Sequence, residues 1–600
     1  AAFVCSYDNG VNGIGRLTSV SDASGSTTYG YDLHGRLLTK TQIARFGAIN
    51  FTQTLNYQYD SMGRLTQMTY PSGMQVSTLY GADGRPTEIR VNGNVLLSNI
   101  NYQPFGPARS WIWGNGQPYT RNADLDGRLK QHPMGGDTRT LIYDAAGRIT
   151  STVDSNPMYN RSYDYDPLSR LTGQSDNTSF KIWSYDANGN RNREQSVSSN
   201  YPFELEATSN RLLNAAGPVA KTYHYDAIGN PLSDGATNFV WNAAGQLHNT
   251  VNNHKKHTYK YNALGQRITK NGPLSKKQFY FYDPAGQLIG EYKNHSATDT
   301  PTDDWLLRQE TIWLDNIPVA VVKKPKITKP IQIYFIYTDH LNTPRLIVDQ
   351  NNTPVWRWDN VHAFGANLPN EDPDDNGQSF EYNLRFAGQY FDRETSLHYN
   401  YFRYYEPETG RYLTPDPIGL AAGTNVYGYA EQNPLSLVDP EGLLPDAIVD
   451  IGLIGLDLAS LAYNKYHGCD TSTDVASLKA NTIGLFVPGV TGLGAAVRIG
   501  NQAAKGTAVI GKNPDYINLA NKLGAKSFSM PAEVWNKMSK AEQWNANQKF
   551  LDRVIKRGDD IVLSNPVKNI NDVSGIYRKE LDYLMSKGLK LSDDGTRLVK

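Results

Sequence analysis

One unit recurs along roughly the first 330 residues and limits what this chain can fold into: aromatic-x-Tyr-Asp-x-x-Gly-Arg-Leu. It stands as Tyr29-Gly-Tyr31-Asp32-Leu-His-Gly35-Arg36-Leu37 and Tyr57-Gln-Tyr59-Asp60-Ser-Met-Gly63-Arg64-Leu65. It returns, in places degenerate, around Tyr143, Tyr165, Tyr185, Tyr225, Tyr261 and Tyr282. Where consecutive units survive, the spacing is near 20 residues, as from Tyr143 to Tyr165 to Tyr185. Each unit reads as a β-hairpin: alternating aromatic and polar residues make a strand, Asp-x-x-Gly closes a turn, and Arg-Leu begins the return strand. A lone hairpin is unstable in water. The units are therefore expected to stack side by side, bury one another's tyrosines and build a continuous, quasi-one-dimensional sheet.

Composition agrees with a mainly β chain. Its 600 residues exceed one hydrophobic core, and 38 Tyr, 52 Gly and 31 Pro with only 20% charged residues fit a turn-rich all-β protein. Cys5 and Cys469 cannot make a disulfide framework or a Cys-rich zinc site. The chain opens Ala-Ala-Phe-Val-Cys, without Met or a charged, apolar leader. It reads as part of something longer, with any export signal upstream.

The array resembles the RHS (rearrangement hot spot), or YD-repeat, family, since six of the copies keep both the Tyr-Asp pair and the following Gly. The resemblance implies a sheet wound into a hollow shell around a C-terminal polypeptide, with the repeat tyrosines and aspartates as scaffold. A generic β-solenoid or adhesive stalk is the plainer alternative. Periodicity alone does not close a shell.

From residue 333 to 443 the repeat gives way to a denser segment. It contains Tyr337-Thr-Asp339-His340, Trp356-Arg-Trp358, Leu384-Arg-Phe-Ala-Gly-Gln-Tyr390 and Tyr399-Asn-Tyr-Phe-Arg403-Tyr-Tyr. This segment resembles the RHS core-associated region. His340 has no Ser or Cys nucleophile motif beside it, which favours a structural role in a packed turn.

The segment ends on two Asp-Pro-x-Gly-Leu tags, Asp416-Pro-Ile-Gly-Leu420 and Asp439-Pro-Glu-Gly-Leu443, with aspartates 23 residues apart. Two readings stay open. Asp-Pro opens turns and helices, so two similar turns need no chemistry. Alternatively, two carboxylates brought together cannot both ionise, so one keeps a proton as acid while the other activates water. The family resemblance implies the second reading: Asp416 and Asp439 as an intramolecular aspartic protease, scission between Leu443 and Leu444, and Arg403 nearby to bind a carboxylate or stabilise an oxyanion.

Residues 444–504 carry two Gly- and Ala-rich apolar runs, each broken by Asp or Pro and short of a clean membrane span. They are read as buried helices, or as a pretoxin linker that touches a membrane during delivery. Residues 505–600 read as a small α+β domain. A capping box at Ser539 opens a helix of about 18 residues with Ala541, Trp544, Leu551, Val554 and Ile555 on its apolar face. Ile561–Leu563 makes a strand, a second helix runs near 573–586, and Asp593-Asp-Gly595 joins two terminal strands. The four expected regions are thus repeat shell 1–332, core-associated region 333–443, linker 444–504 and effector 505–600.

The last region holds 17 Lys and Arg against 11 Asp and Glu, which favours an anionic partner such as nucleic acid. It contains neither His nor Cys. That removes a His-metal nuclease finger, a zinc deaminase, a Cys protease and a His-based ribonuclease. What remains is Asp552, Asp559, Asp560 and Glu580 with Arg553, Lys556, Arg557, Lys568, Tyr577 and Arg578; the carboxylates among them could hold Mg²⁺ for phosphodiester cleavage. A solvated helix face and a helix-to-strand turn account for Arg553 to Asp560 without catalysis. Two functions therefore compete. One is a polymorphic toxin, delivered by a secretion-system spike or toxin-complex partner and countered by a cognate immunity protein, whose effector is a nuclease or modifies NAD or proteins. The other is a non-enzymatic YD-repeat surface or adhesion protein with a C-terminal binding module.

Overall fold

The computed structural model describes residues 3–443 except 48, 105, 219, 274–276, 295–304 and 325–329. Beyond that it describes 507–510, 526–527 and 539–599 except 558–559, 566, 568, 571–572, 593 and 595. The chain divides into two compact units, residues 1–463 and 464–600. The apolar runs of 444–504 lie outside the described residues.

Among the described residues of the first unit, the repeats build antiparallel sheets of 11, 11 and 13 strands in which every strand pairs with its neighbours in sequence. The unit beginning at Tyr57 makes the logic explicit. Asp60 donates its N–H to the Arg64 carbonyl at 3.0 Å and accepts from the Gly63 N–H at 3.0 Å. Its Oδ1 takes the N–H groups of Met62 and Arg64, each at 2.9 Å, and Oδ2 pairs with Arg64 Nε at 2.6 Å. Asp thus closes its own turn, as its short acceptor side chain favours.

The tyrosine does something the hairpin reading did not anticipate: it ties one unit to the one before. Tyr80 donates its hydroxyl to the Leu65 carbonyl at 2.6 Å while Arg64 stacks over the Tyr80 ring at 4.8 Å. The same pair of contacts recurs at Tyr59 with Leu37 and Arg36, at Tyr143 with Leu129 and Arg128, and at Tyr165 with Ile149 and Arg148. Each Tyr-Asp-x-x-Gly-Arg-Leu is therefore half of two joints. A cation over an aromatic face and a hydrogen bond each add a fraction of a kcal/mol to about 1 kcal/mol.

The sheet winds. Lys40 Nζ bonds the Tyr282 carbonyl, 242 positions away, at 2.8 Å, and Tyr70 bonds the Thr311 carbonyl, 241 positions away, at 3.3 Å. Tyr119 meets Thr338 across 219 positions. Early strands thus lie against late ones, and Leu97, Trp113, Phe279, Val319 and Phe335 fill the core between them. Within this shell a buried four-stranded sheet, Tyr390–Asp392, Leu397–Asn400, Arg403–Glu406 and Arg411–Tyr412, packs on the repeat strands. Arg267 clasps the Asp392 carboxylate among five tyrosine rings, and Tyr223 donates to Glu406 at 2.7 Å.

The second unit is described by its own core. Strands Thr507–Ile510, Lys526–Ser527, Asp560–Leu563, Lys590–Leu591 and Arg597–Val599 form one sheet, the first three mutually parallel. Helix Lys540–Arg557 has the expected 18 residues, and the second helix spans Gly575–Ser586. One residue of the expected apolar face is corrected: Ala541 is exposed, whereas Leu551 is buried as expected, joined by Asn547 and Phe550. Asn547 can be buried there because it finds a polar partner, Glu580, across the helix pair.

Candidate active site

Both tags fold as tight turns, and the turns are what present their carboxylates. Asp416 Oδ1 accepts the Ile418 N–H at 3.0 Å, and its carbonyl accepts the Gly419 N–H at 2.9 Å. Asp439 Oδ1 accepts the Leu443 N–H at 2.9 Å. Turn and candidate chemistry thus coexist.

Arg403 brings the turns together. The hairpin of Leu397–Asn400 and Arg403–Glu406 sets Asn400 directly opposite Arg403, so their side chains leave the same face. Arg403 Nη2 lies 2.7 Å from Asp416 Oδ2 and 3.2 Å from Asp439 Oδ2. The first contact is off the hydrogen-bonding direction, a charge contact without a directed bond. Nε bonds the Gly442 carbonyl, and Nη1 donates to the Val426 carbonyl at 3.2 Å. The guanidinium also lies 3.6 Å over the Tyr412 ring. Arg403, Asp416, Asp439 and Leu443 are all buried.

Burial pushes the Asp416 carboxyl up to about 7, against the pull of Arg403 and the Ile418 amide. Burial also raises Asp439, against Arg403 and the Tyr412 hydroxyl. With one guanidinium and two carboxyls in a dry site, charge balances only when one carboxyl keeps its proton.

Two further residues belong to this cluster. Tyr412 donates its hydroxyl to Asp439 Oδ2 at 2.8 Å, and Asn400 Nδ2 bonds both the Tyr412 hydroxyl at 2.7 Å and the Asp439 carbonyl at 2.8 Å. Neither sits in a tag, and no spacing marks them; their only signal is membership of the dense aromatic segment. His340 is partly buried, its Nε2 2.7 Å from the Leu435 carbonyl.

The effector candidates are not gathered in this way. Tyr577 bonds the Asn565 carbonyl, Arg578 pairs with Asp582, Asp552 accepts from Tyr583, and Glu580 accepts from Asn547 at 2.6 Å. Burial pushes the Glu580 carboxyl up to about 8. Asp559 and Lys568, with the side chains of Arg553, Lys556, Arg557 and Asp560, lie outside the described residues, as does Leu444. Among the described residues no three His, Cys, Asp or Glu side chains are placed to hold a metal ion, and no helix is long and apolar enough to cross a membrane.

Comparison with known proteins bears on the fold that carries these residues. The family model for the teneurin YD-shell matches residues 137–435, and that for the RHS repeat matches residues 12–44. Double-stranded DNA deaminase toxin A of Burkholderia cenocepacia (strain H111) is 27% identical over 73% of this chain and 30% of its own length. Probable deoxyribonuclease RhsB of Dickeya dadantii (strain 3937) is 28% identical over 72% of this chain and 29% of its own. This chain therefore spans less than a third of the length of either relative. Among solved structures, TcdB2-TccC3 superposes with a TM-score of 0.62 at 18% identity, over 74% of this chain and 26% of that one. A Photorhabdus luminescens Tc holotoxin pore gives 0.62 at 18% over 75% and 25%; at that identity the likeness is one of fold. Repeat joints, wound sheet and matched families lead to one statement: the chain belongs to the RHS/YD-repeat family of shell proteins.

Proposed function

We propose that this chain cuts its own backbone between Leu443 and Leu444 and so frees a C-terminal effector. The reading is carried by the grip of Arg403 on Asp416, Asp439 and the Gly442 carbonyl, with the Leu443 N–H held on Asp439. One protonated and one ionised carboxyl is the working state of an aspartic protease. In the reaction, the ionised carboxylate takes a proton from water as the water oxygen adds to the Leu443 carbonyl carbon. The protonated carboxyl then gives its proton to the Leu444 nitrogen as the C–N bond breaks. One water is consumed, leaving a carboxyl on Leu443 and an amine on Leu444. The Arg403 charge offsets the oxyanion that develops between these steps.

The test is the mass of the purified protein under denaturing conditions. Pieces of 443 and 157 residues are expected, and Asp439→Asn should remain whole. An intact wild-type chain would overturn the reading.

The effector is read as a nuclease delivered into a competing bacterium or a host cell. Support comes from the basic balance of residues 505–600 and from the relatives' names, a DNA deaminase toxin and a probable deoxyribonuclease. The absence of His and Cys from residues 505–600 argues against zinc deamination there. A cognate immunity protein, a spike or toxin-complex partner, membrane contact by 444–504 and Mg²⁺ at the effector belong to the same proposal. Expressing the chain from Leu444 onward in a bacterial cytoplasm tests it. Growth arrest with degraded DNA or RNA supports a nuclease. Arrest with intact nucleic acid redirects the reading to NAD or protein modification, and harmlessness favours the binding module.

A further inference from the structure

We propose that Tyr412, held by Asn400, is a positioning residue that decides which aspartate acts as base: it keeps Asp439 ionised and leaves the proton on Asp416. The inference rests on the self-cleavage reading and assigns its two roles.

The argument is one of hydrogen-bond direction. A tyrosine hydroxyl has one proton to give. Asn400 Nδ2 points into that hydroxyl at 2.7 Å, so the proton is left for Asp439 Oδ2 at 2.8 Å. The Asn400 amide cannot turn round, because Nδ2 also faces the Asp439 carbonyl at 2.8 Å, where an amide oxygen would meet another oxygen. Asn400 in turn is fixed by its place opposite Arg403 in the hairpin.

Donors to the two carboxyls are unequal. Asp439 accepts the Tyr412 O–H, the Leu443 N–H at 2.9 Å and Arg403 Nη2 at 3.2 Å. Asp416 accepts the Ile418 N–H at 3.0 Å and meets Arg403 without an aligned bond. Donors favour the charged form, so the site's one negative charge settles on Asp439. The groups that face this charge are Arg403, Asp416, Tyr412 and, behind Tyr412, Tyr405 and Tyr429. Of these, Arg403 touches both carboxyls, with its closer contact on Asp416 and its aligned bond on Asp439. Tyr412 touches only Asp439.

The experiment reads the rate of self-cleavage against pH after the full chain, unfolded in denaturant, is diluted into buffers of set pH. In Tyr412→Phe the acid limb, where Asp439 gains its proton, should move to higher pH, with the rate at neutral pH falling about tenfold and recovering as pH rises. Replacing Tyr412 by 3-fluorotyrosine keeps the shape and makes the hydroxyl a stronger donor, so the limb should move to lower pH. Opposite shifts are not expected of a residue that only packs. Cleavage of both variants with unmoved acid limbs, or a uniform loss of rate at every pH, overturns the role of Tyr412. A wild-type chain that is never cut overturns instead the reading on which it rests. If Tyr412→Phe does not refold, the fluorotyrosine chain alone decides.

Discussion

Leu443 donates its backbone N–H to Oδ1 of Asp439 at 2.9 Å, so the residue whose carbonyl is the proposed target is tied to a carboxylate four positions upstream. On the proposed reading, enzyme and substrate belong to one chain. Orientation of this kind removes the entropy of bringing reactants together, and it makes the site a single-use device. The Phe402 N–H bonds the Glu441 carbonyl at 3.1 Å and Asn400 bonds the Asp439 carbonyl, so the stub ending at Leu443 is expected to stay docked after scission.

Cleavage should therefore be first order, with a rate that does not change over a hundredfold range of protein concentration. Time courses of fragment formation at several dilutions check this. A rate proportional to concentration would mean that one chain cuts another.

On the alkaline side the rate should fall as Asp416 loses the proton it gives to the leaving nitrogen. Burial sets that carboxyl at about 7, so the fraction able to act as acid halves near pH 7 and drops about tenfold per unit beyond. A rate that stays flat to pH 9 would remove Asp416 from that role.

The same shift bears on stability. Folded Asp416 holds its proton up to about 7, whereas the unfolded carboxyl has released it near 3.9. Between those values the native state binds more protons, so stability falls as pH rises and levels off above the folded value. The wild-type shell, which keeps both carboxyls, should lose on the order of a few kcal/mol between pH 4 and 8 from this group. A double variant, Asp416→Asn with Asp439→Asn, leaves Arg403 unbalanced and starts lower, but this part of its pH dependence should vanish. Thermal melts across that range separate the two.

In the second unit Glu580 is buried beside Asn547 and its carboxyl is raised to about 8. Its contribution has the same sign: stability drains away as pH rises from near 4.3 through 8. Glu580→Gln keeps shape and removes the dependence, so it should melt higher than wild type at pH 9. Growth arrest that survives the substitution makes the pair packing; loss of arrest with the fold intact makes Glu580 part of the chemistry.

What the sequence made legible was what repeats or recurs. The Tyr-Asp-x-x-Gly unit announces a hairpin because each residue acts within its own turn, as Asp60 does toward Gly63 and Arg64. That Tyr80 bonds the previous unit's Leu65 was not legible, since a hydroxyl's partner across strands leaves no period of its own. The two tags and Arg403 were legible by resemblance. Tyr412 and Asn400 were not, because they reach the site through strand register, Asn400 opposite Arg403 and Tyr405 opposite Tyr412. In the second unit the helices were readable from apolar spacing, yet the polar pair Asn547 and Glu580 was hidden: a buried Glu looks like a surface Glu until its neighbours are known.

Gly388 offers a test of geometry at a distance from the carboxyls. It sits at φ +79°, and a Cβ there would meet the Pro440 carbonyl oxygen at 1.8 Å and its carbon at 2.5 Å, both backbone atoms of the second tag. Gly388→Ala must therefore push Pro440 aside, and Asp439 with it, in addition to the roughly 1 kcal/mol of backbone strain at positive φ. Gly73 supplies the control: its φ is +87° and nothing lies within 4 Å of the added Cβ. Gly73→Ala should carry the strain and still cut at the wild-type rate, whereas Gly388→Ala should slow scission a hundredfold or so, the usual effect of a displacement near 1 Å at reacting groups. Equal rates in the two variants would mean that the second tag tolerates movement, and that its turn does not set the position of Asp439.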